Sequence, residues 1–271
     1  MSPAAALPDV APRLEAARAA VRLAAAETLR WFGTEGLVVE AKADASPVTQ
    51  ADRAAEEGVG GEGPEQFAAE DGLGEETGAT AGTSGYEWVV DPIDGTKSFI
   101  RGVPLYATLV GCRHGGRGVL GVIAIPALDE TVYAARGGGA GHVRGAAPPV
   151  AARVSRRAAL GEALLCSSDF TSFPRWSGGA AEGLATRMRL EGAAGVVRTW
   201  GDGYGYLLVA TGRADVMIDP LMNAWDAAAV EAVIAEAGGQ FTDWAGRDRI
   251  DSGDGLATNG LLHEDVLDLL G

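Results

Sequence analysis

The chain has 271 residues, 47% of them hydrophobic, and a formal net charge of −15 from 37 acidic and 22 basic residues. That length allows one large domain or two halves sharing a core. The acidity argues against nucleic acid or an anionic membrane as partner, since both bind clustered lysine and arginine. Residues 12–32 read as an amphipathic helix, with Leu14, Ala17, Val21, Ala25, Thr28 and Phe32 at spacings of three and four. Residues 37–41 are a predicted strand that delivers Lys42. Ser46-Pro47 forces a turn, and Asp52 opens a short polar helix to about Glu57. Gly58, Gly60, Gly61, Gly63 and Pro64 then break the helical pattern, because each interior Gly costs roughly 1 kcal/mol and an interior Pro about 3. A shorter helix restarting at Pro64 would stop at Gly72.

Residues 78–85 form a Gly/Thr/Ser loop, and 86–90 a strand. The apolar runs 105–111 and 119–125 flank a polar, Gly-rich segment and read as a hairpin. Residues 131–135 are a further strand, ended by a turn at Gly137-Gly138-Gly139. The Ala/Gly/Pro cluster at 145–149 suggests two halves, 1–145 and 146–271. Beyond it, strands at 163–167, 196–198, 215–218, 240–243 and 256–258 alternate with helices at 180–190, 204–211, 227–237 and 263–270. The expected class is α/β, with an α+β first half and an α/β second half.

The chemistry concentrates in Asp91-Pro92-Ile93-Asp94-Gly95-Thr96, which follows the apolar run Trp88-Val89-Val90. Pro92 has no donor, so a regular strand is not expected to pass it. A turn there aims two carboxylates at one point, and carboxylates with substrate phosphate are the ligands Mg²⁺ prefers. Gly95 permits close backbone approach to an anion. The stretch therefore reads as a metal-assisted phosphate site, with an ordinary Asp-Pro turn as the alternative. Glu75-Glu76 either supplies a ligand in Glu75 or is a solvated acidic doublet. Asp226 is a ligand, a helix N-cap or both; Asp52 caps its own helix, serves the site, or both.

Lys42 with Ser46-Pro47-Val48-Thr49-Gln50-Ala51-Asp52, Gly74-Glu75-Glu76, the stretch 91–96, and Trp225-Asp226-Ala227-Ala228-Ala229 with Glu236-Ala237-Gly238-Gly239 come in that order. Together they resemble the inositol monophosphatase family of lithium-sensitive Mg²⁺ phosphomonoesterases. Trp200-Gly201-Asp202-Gly203-Tyr204-Gly205-Tyr206 and residues 207–219 resemble its histidinol-phosphatase branch. The resemblance implies a layered αβαβα sugar-phosphatase fold, a homodimer, and hydrolysis of a small phosphorylated substrate by water with two or three Mg²⁺ per site. It implies that Glu75, Asp91 and the Ile93 carbonyl hold one ion and that Asp91, Asp94 and Asp226 hold a second. A third, weaker ion would sit near Glu75. It further implies that Thr96, polarised by Asp52, orients the attacking water, and that Lys42 and the Gly95 and Thr96 amides meet the phosphate. The Gly-rich segment 58–64 falls where the family carries a full helix, so this segment is expected to order when metal binds.

Asp202 and Asp219 are candidate substrate contacts at the cleft mouth, since the amine and imidazole of histidinol phosphate suit carboxylates. Asp202 could equally cap the helix at Tyr204, and Asp219 could be a turn residue before Pro220. Inositol-1-phosphate, or a broad range of sugar phosphates, is the alternative substrate class. A degenerate metal- or phosphate-binding protein without turnover is the alternative of another kind. His114, His142 and His263 lack metal spacing and read as surface or capping residues. Cys112 and Cys166 stand in apolar runs outside any metal motif and read as buried hydrophobes in a reducing cytoplasm. Residues 1–10 show no signal-peptide pattern, and no apolar run approaches the roughly 18 residues of a membrane span.

Overall fold

The computed structural model describes residues 10–41, 47–61 and 70–271. Helix α1 (Val10–Trp31) leads to the strands β1 (Val39–Ala41) and β2 (Pro47–Thr49), which pair antiparallel. Helix α2 (Gln50–Gly61) follows. An eight-stranded sheet is built from β3 (Asp71–Gly74), β4 (Gly78–Thr80), β5 (Tyr86–Asp94), β6 (Ala107–His114), β7 (Arg117–Ile125), β8 (Glu130–Ala135), β9 (Gly139–Arg144) and β10 (Val150–Ala151). Its order is β10-β9-β8-β7-β6-β5-β3-β4, and the short helix α3 (Thr96–Phe99) sits between β5 and β6. A second sheet takes β11 (Leu164–Cys166), β12 (Val196–Arg198), β13 (Val216–Asp219), β14 (Gln240–Thr242) and β15 (Gly255–Thr258) in the order β12-β11-β13-β15-β14. The remaining helices are α4 (Ala180–Ala193), α5 (Gly203–Ala210), α6 (Ala224–Glu236) and α7 (His263–Leu270).

Period-two alternation sorts the first sheet's side chains into two cores. Val90, Val110 and Val122 face α1, with Ala17, Val21 and Ala24. Their neighbours Val89, Leu109 and Ile123 face α5 and α6, with Leu207, Val230 and Val233. The second sheet shares that middle core through Met217 and Ala257. On its far side Leu165, Val216 and Ile218 pack on Leu190 of α4 and Val266 of α7. The layers are thus α1/α2, sheet, α5/α6, sheet, α4/α7, the expected αβαβα order.

The alanines at the start of α6 let it sit directly on the sheet. A Cβ at Gly121 would stand 2.1 Å from the Ala229 carbonyl oxygen, and one at Gly111 would stand 2.7 Å from Ala228. Close seating of α6 brings its first turn, with Asp226, to the end of β5.

Several elements differ from expectation. Helix α2 continues through Gly61 instead of ending near Glu57, because α2 packs along α1 with Ala51 and Ala55 fully buried, and packing overrides propensity. Residues 62–69 lie outside the described residues, so the helix expected to restart at Pro64 is largely outside them too; residues 71–72 are strand. Residues 78–80 pair with β3 as β4 and are not loop. Strands β9 and β10 were not foreseen. The Gly-rich β9 owes its place to contact, since a Cβ at Gly141 would stand 2.5 Å from the Tyr133 ring. Both cysteines are free and buried, as expected. Among the described residues no helix is long and apolar enough to cross a membrane.

Candidate active site

Strand β5 does pass Pro92, but not regularly. Asp91 pairs with Leu109 and Asp94 with Ala107, so three steps along β5 face two along β6. That is a bulge at the residue without a donor. The Asp91 carboxylate accepts the Ile93 N–H at 3.0 Å, and the Pro92 carbonyl accepts the Thr108 hydroxyl at 2.9 Å. The bulge turns Asp91 and Asp94 towards one point.

Asp226 meets them from α6. It is the third residue of the helix, not its cap: Asn223 is the cap, and its N–H donates to Asp226 Oδ2 at 2.7 Å in a capping box. One oxygen from each of Asp91, Asp94 and Asp226 lies within 4.8 Å of the others. Glu75, just after β3, donates its N–H to the Val90 carbonyl at 3.2 Å, and its carboxyl group lies beside that of Asp91. Burial, then the charges of Glu75, Asp94 and Asp226, hold the Asp91 pKa well above the usual carboxylate range. Burial, then Asp202 and Asp226, does the same for Asp94. Burial dominates at Asp226 too; Glu75 adds to it and the Asn223 amide opposes it, leaving a pKa of about 7. Carboxylates packed this closely need protons or a cation, and an all-oxygen donor set fits a hard divalent ion such as Mg²⁺.

Gly95 follows with φ +84°, and α3 begins at Thr96, so the chain leaves Asp94 directly into a helix start, whose first amides have no intrahelical partners. The Thr96 hydroxyl donates to the Ile93 carbonyl at 3.1 Å. The resemblance pairs Thr96 with Asp52, and that bond is not formed here. Asp52 instead accepts the Thr49 N–H at 2.7 Å and the Thr49 hydroxyl at 2.6 Å, both on Oδ2, closing a capping box on its own helix. Its Oδ1 is buried without a partner. Burial, offset by Thr49 and reinforced by Glu76 and Glu75, places its pKa at about 6. Lys42 lies outside the described residues.

On the other side, Gly203 opens α5 and donates its N–H to Asp94 Oδ2. Asp202 sits at the cap position of α5 with φ 52° and ψ −154°, a region that is nearly glycine's alone. Its side chain makes no capping bond and instead lies against Gly95. Asp219 is not at the cleft mouth. It is 5% exposed and accepts from the Ser168 N–H at 2.8 Å and the Tyr206 hydroxyl at 2.9 Å. Ser168 Oγ in turn accepts the Asp202 N–H at 2.8 Å, so Asp219 stands behind Asp202. Burial, then Asp219, raises the Asp202 pKa to about 6, against Ser168 and Lys97.

Sequence reasoning missed Ser168, which no motif marks, and Lys97, which reads as an ordinary surface cation. It also passed over Glu56, four residues beyond Asp52, whose buried carboxylate accepts the Glu76 and Thr77 N–H groups.

A family model described as "Inositol monophosphatase family" matches residues 9–270. A histidinol-phosphatase of Chlorobaculum parvum is 40% identical over 256 residues, covering 93% of this chain and 92% of that protein. A histidinol-phosphatase of Mycobacterium tuberculosis is 41% identical, covering 87% and 89%. The solved structure of the extragenic suppressor protein SuhB from Bartonella henselae superposes with a TM-score of 0.84 at 28% identity, covering 94% of this chain and 97% of that one.

Proposed function

This chain belongs to the inositol monophosphatase family, which is metal-dependent, and is a phosphatase; we propose that it hydrolyses histidinol phosphate to histidinol and phosphate with Mg²⁺. The observation that carries this reading is Asp202, a carboxylate held against phosphate-facing Gly95 at the edge of the cluster Asp91, Asp94 and Asp226. Glu75, Asp91, Asp94, Asp226 and the Ile93 carbonyl would hold two Mg²⁺, with a third, weaker ion near Glu75. When bound, such ions neutralise the ester's charge and lower the pKa of water.

The chain's own residues do the positioning. Gly95 and Thr96 present amides to the phosphate oxygens. Thr96 spends its one hydroxyl hydrogen on Ile93, so towards water it can only accept. A water donating to it has a lone pair left to aim at phosphorus. Asp202 would accept from the amine or imidazole of the leaving alcohol by charge-assisted hydrogen bonds, with Asp219 holding Ser168, and through it Asp202, in place. Lys42 is kept as a proposed phosphate contact. A homodimer in the cytoplasm, with halves dividing near residue 145, completes the proposal.

Lys97 favours a second reading. Its charge already stabilises ionised Asp202 and so competes with a cationic substrate, which suits inositol-1-phosphate or sugar phosphates. The test is phosphate release from histidinol phosphate, inositol-1-phosphate and fructose-1,6-bisphosphate with Mg²⁺, against an EDTA control. A strong preference for histidinol phosphate is expected. Flat or inositol-favouring rates would select the second reading, and no metal-dependent release from any would point to a binding protein without turnover.

A further inference from the structure

We infer that Glu56 is a positioning residue for Glu75: by tying down the turn that carries Glu75, it sets how tightly the site holds its metal. The inference rests on the metal-dependent phosphatase reading above.

Glu56 stands one helical turn beyond Asp52 on α2, so both carboxylates leave the same face. It is 5% exposed. Its Oε2 accepts the Glu76 N–H at 2.8 Å, and its Oε1 accepts the Thr77 N–H at 2.9 Å and the Thr77 hydroxyl. Three donors from two consecutive residues converge on one buried carboxylate. Hydrogen bonds to a charged group are the strong ones, so this is a firm tie.

The turn is held at its start as well, by Glu75 N–H on the Val90 carbonyl. Val90 precedes Asp91, whose carboxyl group meets that of Glu75. The backbone around Glu75 is therefore fixed by β5 on one side and by Glu56 on the other, which fixes where its side chain starts relative to Asp91. Gly74 completes the arrangement. A Cβ there would stand 1.8 Å from Glu56 Oε1, so the strand closes over the carboxylate only because nothing projects from residue 74. Glu56 touches neither the phosphate-facing amides nor the cluster of Asp91, Asp94 and Asp226, and it acts only through the turn.

The test uses the purified full chain with two readouts: Mn²⁺ binding to the resting protein by EPR, and the Mg²⁺ concentration giving half-maximal phosphate release. Glu56→Gln keeps the size but sets an NH₂ group against a backbone donor. We expect both the Mn²⁺ dissociation constant and the half-saturating Mg²⁺ concentration to rise about tenfold, with kcat at saturating Mg²⁺ within about threefold of wild type. Glu56→Asp keeps the charge and should recover part of the loss. Thr77→Val removes one donor only and should shift both readouts in the same direction by less; it also carries the test alone if Glu56→Gln does not fold. Unchanged Mn²⁺ affinity beside a lowered thermal midpoint would mean that Glu56 serves stability only, and would overturn the inference. If the wild type itself binds no Mn²⁺ and releases no phosphate, the phosphatase reading fails first and this one with it. A wild type that does both, next to an indifferent Glu56→Gln, sinks this inference alone.

Discussion

Asp202 leans over Gly95: its Oδ2 lies 2.6 Å from the point where a Cβ on residue 95 would stand. Gly95 also has φ +84°, where an L side chain costs about 1–2 kcal/mol. The position is closed to other residues by backbone and by space together. Gly95→Ala must either push Asp202 away or twist the strand end that carries Asp94. Displacement of about 1 Å at a reacting centre costs roughly a hundredfold, so kcat/KM should fall by about that much. Steady-state kinetics on the variant is the check, and near-normal activity would show that the turn yields freely.

The carboxylate cluster predicts how the protein responds to metal. In EDTA, Asp91, Asp94 and Asp226 repel one another across less than 4.8 Å. Mg²⁺ at a hundred times its dissociation constant stabilises the fold by about 2.7 kcal/mol, a rise of roughly 5–10 °C in thermal midpoint for a chain of this size. Asp94→Asn should keep the fold, because an amide oxygen can still accept the Gly203 N–H. It should lose most of the Mg²⁺-dependent rise and abolish turnover. Differential scanning fluorimetry with and without Mg²⁺, beside a phosphate-release assay, separates these effects; a variant that turns over normally would remove Asp94 from the site.

What the sequence made legible was local. Asp91 and Asp94 are three residues apart around a proline, and Trp225-Asp226 heads an apolar helix, so their chemistry can be read without knowing the fold. The alternation of Val89 with Val90 likewise announces a strand buried on both faces. What it hid depends on partners distant in the chain. Asn223 caps α6 in place of Asp226 because the helix begins one turn earlier, where no apolar periodicity marks it. Helix α2 survives its glycines because its first turns are anchored, Ala55 against α1 and Ala51 against Ile93, Phe99 and Tyr106. Asp219 retreats from the cleft because Ser168 and Tyr206, 51 and 13 residues away, satisfy it.

His263 is the clearest case of a residue misread from sequence, and it carries a pH prediction. It is fully buried against the paired strands β14 and β15 rather than at the surface. Thr242 donates its hydroxyl to the Asp243 carbonyl at 2.7 Å, so at 3.0 Å from Nε2 it accepts from the ring. Nδ1 is then the acceptor of the Thr258 hydroxyl, also at 3.0 Å. Both contacts suit a neutral imidazole, and burial lowers its pKa from 6.5 to about 4. Between those values the unfolded chain holds more protons than the folded one, so stability rises with pH. The contribution is fully present above pH 6.5 and is lost as pH falls towards 4, on the order of 3 kcal/mol. Urea unfolding from pH 4.5 to 7 should show a steeper slope for wild type than for His263→Gln. Parallel slopes would mean that His263 does not titrate across this window.

The substrate question comes down to the charge on Asp202. At its φ of 52° Asn has the same size and branching as Asp, so Asp202→Asn should keep the loop and remove only the charge. With a pKa of about 6, raised by burial and Asp219 against Ser168 and Lys97, Asp202 is mostly ionised at pH 7.5 and able to pair with an ammonium or imidazolium. A charge-assisted hydrogen bond contributes roughly 2 kcal/mol, so kcat/KM for histidinol phosphate should fall about thirtyfold. Inositol-1-phosphate offers only hydroxyls, which an amide accepts from nearly as well, and its kcat/KM should change by less than about threefold. The two substrates assayed side by side on wild type and variant decide it. Equal losses would mean that Asp202 merely holds the loop over Gly95, and that selectivity, where it exists, is set by other residues.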